Sequence, residues 1–236
     1  MKTAVFSIHN FEKDYLLSAN GNRHDLVLID SSLSESTVTL ADGCKAISIF
    51  TEDKASAPVL ETLQKMGISY LAMRSAGFNH VDLHKAKELN VRIARVPAYS
   101  PYAVAEHSVA MMLALNRKLM RAHHRIMDLN FSLDGLVGFD MNSKTVGIIG
   151  TGKIGSVLTR ILHGFGCHIL AWDKDENEEL TERYGVEYTT CESLCERSDI
   201  VTLHVPLTED TRYIIDRHSI EKMKEGVMLI NTSRGG

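Results

Sequence analysis

Cysteine is scarce in this sequence, and a long apolar run is missing altogether. The four cysteines, at positions 44, 167, 191 and 195, are too few and too scattered for a disulfide framework. Because no histidine accompanies Cys191 and Cys195 at a zinc-finger spacing, we interpret them as free thiols. No window holds the roughly 18 apolar residues that a transmembrane helix requires. The N-terminus turns polar after a few residues and lacks the apolar core of a signal peptide.

A basic excess is also missing. The 26 Lys and Arg residues are outnumbered by 30 Asp and Glu residues, which gives a net charge of −4. A chain with this balance lacks the positive surface that binds nucleic acid or anionic membranes. Since 44% of the residues are hydrophobic and 24% are charged, the composition is that of a folded globular protein. We therefore expect a soluble, cytoplasmic α/β protein that binds neither nucleic acid nor membrane.

Two series of short β-rich runs alternate with helical patterns, which favours parallel sheets. In the first series we predict helices over 57–66, with Ser56 as N-cap, and over 81–89. The strands that we predict cover residues 3–8, 25–30, 46–50, 69–74 and 91–96 in the first series, and 145–150, 167–173, 199–205 and 227–231 in the second, with 186–189 as a candidate edge strand.

The two series are joined by an apolar segment. Ser100 suits a helix N-cap, and Pro101 suits the first helical position, where its missing N–H has no cost. The residues that follow, as far as about Arg125, predict one long helix. Because this helix is apolar on nearly every side, we expect it to be buried between domains or against a second subunit. We place the domain boundary near residue 100.

A glycine motif of the form G-x-G-x-x-G follows the strand at 145–150. Gly150 allows a tight turn, Gly152 lets the backbone approach a diphosphate, and Gly155 lets the helix predicted over 154–162 pack on the strand. The phosphates then meet free N–H groups at the positive end of the helix dipole. Asp173 ends the next strand, 18 residues after Gly155. This separation is close to the roughly 20 residues that lie between the glycines and the acid in a dinucleotide-binding fingerprint. Asp173 can accept hydrogen bonds from the ribose hydroxyls, which favours NAD, although the adjacent Lys174 leaves NADP open.

Two other strands end where a cofactor should lie, because ligands of open α/β sheets bind outside the carboxyl ends of the strands. Residues 204–207 follow one strand and residues 232–234 follow the other. His204 is a candidate acid or base, but packing on the cofactor is the commoner role at this position. Arg234 can hold a carboxylate with two parallel hydrogen bonds and polarise a carbonyl, unless it is a surface arginine.

In the first series, the loop at 75–79 predicts either an anion-binding nest of backbone N–H groups or a plain turn.

With these motifs in place, the chain resembles the D-isomer-specific 2-hydroxyacid dehydrogenases, and among them the fermentative NAD-dependent D-lactate enzymes. The resemblance extends along essentially the whole chain. It implies an α/β fold with two flavodoxin/Rossmann-like parallel-sheet domains, in which residues 1–100 form a substrate domain and residues 101–236 an NAD-binding domain that is incomplete at its C-terminus. It also implies interconversion of pyruvate and D-lactate, and a homo-oligomer formed through the helix that starts at Pro101. The most specific stretches are residues 74–83, 96–107, 130–139, 150–155 and 231–235.

The resemblance assigns individual roles by position. Ala76 and Gly77 match a loop whose backbone amides hold the substrate carboxylate, and Tyr99 matches a tyrosine of the same pocket. Arg234 matches the catalytic arginine that binds the 2-oxo acid. No metal is implied. The residues that match cofactor contacts are Lys153 and Ile154 at the diphosphate, Asp173 at the ribose, and Val205, Pro206, Thr232 and Ser233 along the nicotinamide, with Thr211 as a further candidate.

The proton donor of the family is a histidine paired with a glutamate, and none of the 11 histidines matches it. We therefore expect this pair beyond residue 236, and we expect the 236-residue chain alone to bind cofactor poorly and to turn over little or no substrate. Two alternatives stay open. One alternative to D-lactate dehydrogenase is a dehydrogenase for another small substrate, such as glycerate, a branched 2-oxo acid or formate. The other alternative is a non-catalytic NAD-sensing module.

Overall fold

The computed structural model describes residues 1–235, which divide into a first unit, Met1–Tyr99, and a second unit that begins at Ser100. The first unit contains a five-stranded sheet in the order β2-β1-β3-β4-β5, with all strands parallel. This is the flavodoxin-like order, in which the connection reverses between β1 and β3. All five predicted strands are confirmed, with somewhat different ends. They are β1 (Lys2–Val5), β2 (Asp25–Leu28), β3 (Ala46–Ile49), β4 (Tyr70–Met73) and β5 (Arg92–Arg95).

The helices of the first unit are α1 (Asn10–Asn20), α2 (Ala57–Lys65) and α3 (Leu83–Glu88). The two predicted helices are confirmed as α2 and α3. Helix α3 starts two residues later than predicted because the carboxylate of Asp82 caps it, accepting a hydrogen bond from Lys85 N at 2.9 Å. Helix α1 escaped the sequence analysis, since it buries no residue and so carries no apolar period.

The second unit contains a parallel sheet in the order β10-β9-β6-β7-β8. These are five of the six strands of the dinucleotide-binding order, and the connection reverses between β6 and β9. The four main predicted strands are confirmed, and the candidate at 186–189 is the edge strand β8. The strands are β6 (Thr145–Ile149), β7 (His168–Trp172), β8 (Glu187–Tyr188), β9 (Ile200–Leu203) and β10 (Met228–Asn231).

The helices of the second unit cover both faces of this sheet. Ile148 packs in the core on one face, together with Leu158, whereas its neighbour Ile149 packs on the opposite face with Leu194. Burial on both faces explains the continuous apolar run of β6. The helices are α4 (Pro101–Asn116), α5 (Leu119–Met127), α6 (Lys153–Gly164), α7 (Glu178–Tyr184), α8 (Cys191–Arg197) and α9 (Arg217–Lys222).

The single long helix predicted after Pro101 is wrong, because the chain breaks it into α4 and α5. The start is as predicted, with Ser100 Oγ accepting a hydrogen bond from Ala103 N. The end is set by Asn116, a buried side chain that bonds both the N–H and the carbonyl of Phe139 at 2.8 Å. Lys118 then adopts a left-handed conformation with φ 53° and ψ 36°, which ends helical geometry for an L-residue.

Within residues 1–235, no helix is long and apolar enough to cross a membrane. The four cysteines are free thiols. No cluster of three or more His, Cys, Asp or Glu side chains in the same residues is arranged to hold a metal ion.

Candidate functional site

The glycine motif forms the turn between β6 and α6. Gly150 has φ +98°, and a Cβ there would lie 2.9 Å from the backbone of His204 at the end of β9. A Cβ on Gly155 would lie 2.0 Å from the carbonyl oxygen of Gly150. Both positions therefore exclude every side chain, for the reasons that the sequence motif predicts.

Gly152 differs from the other two glycines, because a Cβ there would meet no atom within 4 Å. It is the N-cap of α6 and, in the described part of the chain, no side chain caps this helix. The N–H groups of the first turn, which begins with Lys153 and Ile154, therefore have no intrahelical acceptor and lie at the positive end of the helix dipole. An open cradle with unpaired donors fits the diphosphate of a dinucleotide.

Asp173 is fixed beside this turn by hydrogen bonds. Its Oδ2 accepts from Thr151 N at 2.6 Å and from Thr151 Oγ1 at 3.0 Å, and its Oδ1 accepts from Lys174 N at 2.7 Å. Tyr188, on the edge strand β8, donates its hydroxyl hydrogen to Thr151 Oγ1 at 3.0 Å. Neither Thr151 nor Tyr188 is predicted as a site residue from the sequence. Thr151 lies inside the glycine motif and could have been found there, whereas Tyr188 reaches the turn only through the fold.

A second part of the site lies at the carboxyl ends of β9 and β10, around a cavity of about 250 Å³. Thr232 does not line this cavity. Its hydroxyl group forms a hydrogen bond with the hydroxyl group of Ser108 on α4 at 3.0 Å. Thr211 is buried and donates its hydroxyl hydrogen to the carbonyl of Pro206, which closes the loop after β9. The predicted residues that line this cavity are Val205, Pro206, Thr211, Ser233 and Arg234.

Arg234 is presented by a turn that Asn231 organises. Asn231 Oδ1 accepts a hydrogen bond from Ser233 N at 2.9 Å, and its Nδ2 donates to the carbonyl of Arg234 at 2.8 Å. The exposed guanidinium of Arg234 donates only to the carbonyl of Ser233 in the described structure. Its remaining N–H groups are therefore available for a planar anion. Asn231 was missed because its role depends on local turn geometry.

His204 is a neutral packing residue in this structure. Its Nε2 lies 2.9 Å from Thr202 Oγ1, and its buried Nδ1 has no partner within residues 1–235. Burial lowers the pKa of His204 from its ordinary value of 6.5 to about 4. At neutral pH the imidazole is therefore uncharged and lacks the imidazolium proton that a general acid donates.

Replacing His204 with glutamine is expected to make folding stability less sensitive to acid. The folded pKa of about 4 lies below the unfolded value of about 6.5. The unfolded state therefore binds the proton first, and stability falls as the pH drops through this range. Between pH 7 and pH 4.5 this histidine alone should remove about 2.5 kcal/mol of unfolding free energy. Urea unfolding at the two pH values measures this loss in both proteins.

The control for this experiment is His168→Gln, which replaces an exposed histidine on the neighbouring strand β7. Carboxylates titrate alike in all three proteins and cancel from the comparison. An equal loss of stability in acid for the wild type and His204→Gln would contradict the assignment of a buried, neutral imidazole.

The loop at 75–79 lies in the first unit, after β4. The carbonyl of Ala76 accepts from Arg95 Nη1 at 2.9 Å and that of Gly77 accepts from Ser75 Oγ at 2.8 Å. Neither Ala76 N nor Gly77 N donates to an acceptor within residues 1–235. Two free N–H groups in succession suit a carboxylate. Tyr99 is 59% exposed and lies outside the helices and strands.

A partly buried ion pair holds the strand that precedes this loop, and it is not predicted from the sequence. Arg74, directly after β4, makes a double hydrogen bond to the carboxylate of Glu12 at 3.0 Å. Its Nη2 also donates to the carbonyls of Phe6 and Ser7, which follow β1. The pair joins residues far apart in the sequence, so no local pattern reveals it.

Comparison with known proteins extends these findings. Residues 109–236 match the family model described as D-isomer specific 2-hydroxyacid dehydrogenase, NAD binding domain. The whole chain is 49% identical to a D-lactate dehydrogenase of Escherichia coli strain K12, of which it covers 71%. Its structure is similar to the pyruvate reductase of Chlamydomonas reinhardtii, with a TM-score of 0.90, 44% identity, and coverage of 100% of this chain and 70% of that one. A D-lactate dehydrogenase of Aquifex aeolicus, complexed with NAD and lactic acid, gives a TM-score of 0.86, 35% identity, and coverage of 99% and 69%.

Proposed function

The chain belongs to the NAD-dependent D-isomer-specific 2-hydroxyacid dehydrogenases, and we propose that the protein interconverts pyruvate and D-lactate. The observation that carries this proposal is the presentation of Arg234 at a cavity of only about 250 Å³, at the carboxyl ends of β9 and β10. Predicted cofactor contacts line the same cavity, so a small 2-oxo acid would meet the reactive end of the cofactor here, and an arginine at the rim suits its carboxylate. The reaction would reoxidise NADH in fermentation.

NADH, when bound at the glycine turn, would supply the hydride for the substrate carbonyl, and residues of this chain would hold the substrate. Arg234 holds the 2-oxo acid by two parallel hydrogen bonds and polarises that carbonyl, which favours the developing negative charge on oxygen. The N–H groups of Ala76 and Gly77 bind the carboxylate, and Tyr99 lines the same pocket. In this proposal, residues 1–100 form the substrate domain and residues 101–236 the NAD-binding domain.

Reduction also requires a proton for the new hydroxyl group. His204 is unsuited, because its low pKa leaves it unprotonated at neutral pH and its Nε2 is engaged by Thr202. In the family this proton comes from a histidine paired with a glutamate, and none of the 11 histidines in these 236 residues matches that histidine. These residues span 71% of the length of the Escherichia coli relative. By themselves they should reduce pyruvate very slowly or not at all, so the kinetic tests use the full-length enzyme.

Steady-state kinetics with NADH test the proposal. The specificity constant for pyruvate should exceed those for glyoxylate, hydroxypyruvate and 2-oxobutyrate, and the product should be D-lactate. A higher constant for one of the other acids would assign the enzyme to that substrate. NADH-dependent association with another protein, without turnover of any 2-oxo acid, would instead support a sensing module.

The surface after α4 supports a homo-oligomer, with a second copy of the chain as the partner. Five large apolar side chains there are each at least 70% exposed, which is unusual for a monomer. They belong to α5 and to the loop after it, the segment that continues the helix starting at Pro101. The five side chains are Met127, Leu129, Phe131, Leu133 and Val137.

The four free thiols suit a reducing compartment, which supports a location in the cytoplasm.

Replacing Leu133 with aspartate is expected to shift the protein from an oligomer toward a monomer, because a charge would be buried in the proposed interface. Sedimentation velocity over a range of concentrations measures the shift. Tyr15→Asp is the matched control, since Tyr15 is 80% exposed on α1 of the first unit. If the wild type sediments as a monomer at all concentrations, the proposed interface is wrong.

A further inference from the structure

Lys174 and Asp210 form an ion pair beside the proposed ribose site. Lys174 directly follows Asp173 at the end of β7, and Asp210 lies in the loop after β9. Lys174 Nζ donates to Asp210 Oδ2 at 2.6 Å. Because β7 and β9 flank β6 on its two sides, the pair joins the loops on either side of the strand that leads into the glycine turn.

The surroundings of this pair are strongly acidic. A cavity of about 570 Å³ next to Gly152 is lined by five carboxylates, and within residues 1–235 no lysine or arginine lines it. Lys174 is thus the cation adjacent to the acid that should bind the ribose, while Lys153 lies at the diphosphate turn. In dinucleotide-binding domains a basic residue near this position accommodates a 2′-phosphate. The five carboxylates belong to Asp173, Asp175, Glu176, Glu178 and Glu179.

We propose that Asp210 is a specificity-determining residue, which engages the ammonium group of Lys174 and so keeps it from binding the 2′-phosphate of NADP(H). With Lys174 engaged, a 2′-phosphate would meet the Asp173 carboxylate and the acidic cavity without a compensating cation. NAD(H) has hydroxyl groups at this position and meets no such repulsion.

The electrostatics of the pair support this role. The hydrogen bond to Asp210 raises the pKa of Lys174, and the hydrogen bond from Lys174 lowers the pKa of Asp210. Both groups are therefore charged at neutral pH and the pair is formed. The two side chains are 60% and 70% exposed, so a charged ligand can compete for the lysine once the carboxylate is removed.

The substitution Asp210→Asn removes the charge at constant size and tests the proposal. Binding of NADPH and NADH to the complete enzyme can be titrated by the fluorescence of Trp172, the one tryptophan, which precedes Asp173. We expect the ratio of the NADPH to the NADH association constant to rise about two- to fivefold, the effect of an exposed charge pair. In a Lys174→Gln background the same substitution should leave the ratio unchanged, because Asp210 acts through the lysine.

Two results would overturn the proposal. One is an unchanged ratio in Asp210→Asn. The other is an equal rise with and without Lys174, which would mean that Asp210 acts by its own charge. Glu187→Gln is the matched control, since it breaks another exposed ion pair of the second unit, with Arg197, and should not change the ratio. The inference rests on NAD binding and not on the identity of the 2-oxo acid. Failure of the pyruvate assignment would therefore appear in the kinetics and leave these titrations intact.

Discussion

Replacing Gly152 with alanine is expected to weaken NADH binding about 10- to 100-fold, the effect of overpacking by a methyl group. A Cβ at this position meets no protein atom within 4 Å, so it would occupy the open cradle where the diphosphate should approach the backbone. The backbone of Gly152 is extended, with φ −61°, and accepts alanine. The free energy of unfolding should therefore change by no more than about 1 kcal/mol.

Two other glycines of α6 make this result interpretable. Gly164 lies at the far end of the helix, and a Cβ there would also meet no atom within 4 Å. Gly164→Ala should leave NADH binding unchanged, with equal or higher stability because alanine favours the helix. Gly155→Ala places a methyl group 2.0 Å from the carbonyl of Gly150. It should cost about 3 kcal/mol or more of unfolding free energy, since the backbone must move.

Trp172 fluorescence for binding and urea unfolding for stability separate the three variants. The decisive result is the loss of binding without loss of stability, which only Gly152→Ala should show. NADH binding to Gly152→Ala with wild-type affinity would mean that the dinucleotide does not lie on this turn. That outcome would remove the geometric basis for the cofactor site.

Strong burial gives the clearest pattern in the sequence. The strand β6 carries an apolar run because both of its faces are covered, and that run is visible without a structure. Helix α1 buries nothing, so the pattern on which helix prediction depends is absent. The long helix was predicted through Lys118 because the break depends on Asn116 and its bonds to Phe139, a contact between residues distant in the sequence.

The candidate site divides in the same way. The glycine turn and Asp173 can be predicted because the motif is local and each position has its own steric or polar task. Tyr188, on β8, reaches this turn, and Asp210, in the loop after β9, reaches Lys174 beside Asp173; neither belongs to a local motif. Lys174 illustrates the limit most clearly. Its position beside Asp173 leaves NADP binding open, whereas its partner, which bears on that choice, appears only in the fold.

Replacing Arg234 with lysine is expected to lower kcat/KM for pyruvate about 10²- to 10³-fold in the complete enzyme, the effect of losing a donor to a developing oxyanion. Lysine keeps the positive charge but cannot form two parallel hydrogen bonds to a carboxylate. NADH binding should change little, because the predicted diphosphate and ribose contacts, at Gly152 and Asp173, lie at the glycine turn and not at Arg234. Steady-state kinetics and Trp172 titration measure the two effects separately.

The matched control is Arg217→Lys, at a position on α9 where the side chain is 93% exposed and bonds only Glu221 among the described residues. This variant should retain wild-type kinetics, which shows that an Arg-to-Lys change is not itself harmful. If Arg234→Lys instead lost NADH affinity at constant kcat, Arg234 would be a cofactor residue. The substrate carboxylate would then depend on the N–H groups of Ala76 and Gly77, which face no competing acceptor in the first unit. The loss in kcat/KM, compared with the change in NADH affinity, therefore decides whether this arginine binds the substrate carboxylate or the dinucleotide.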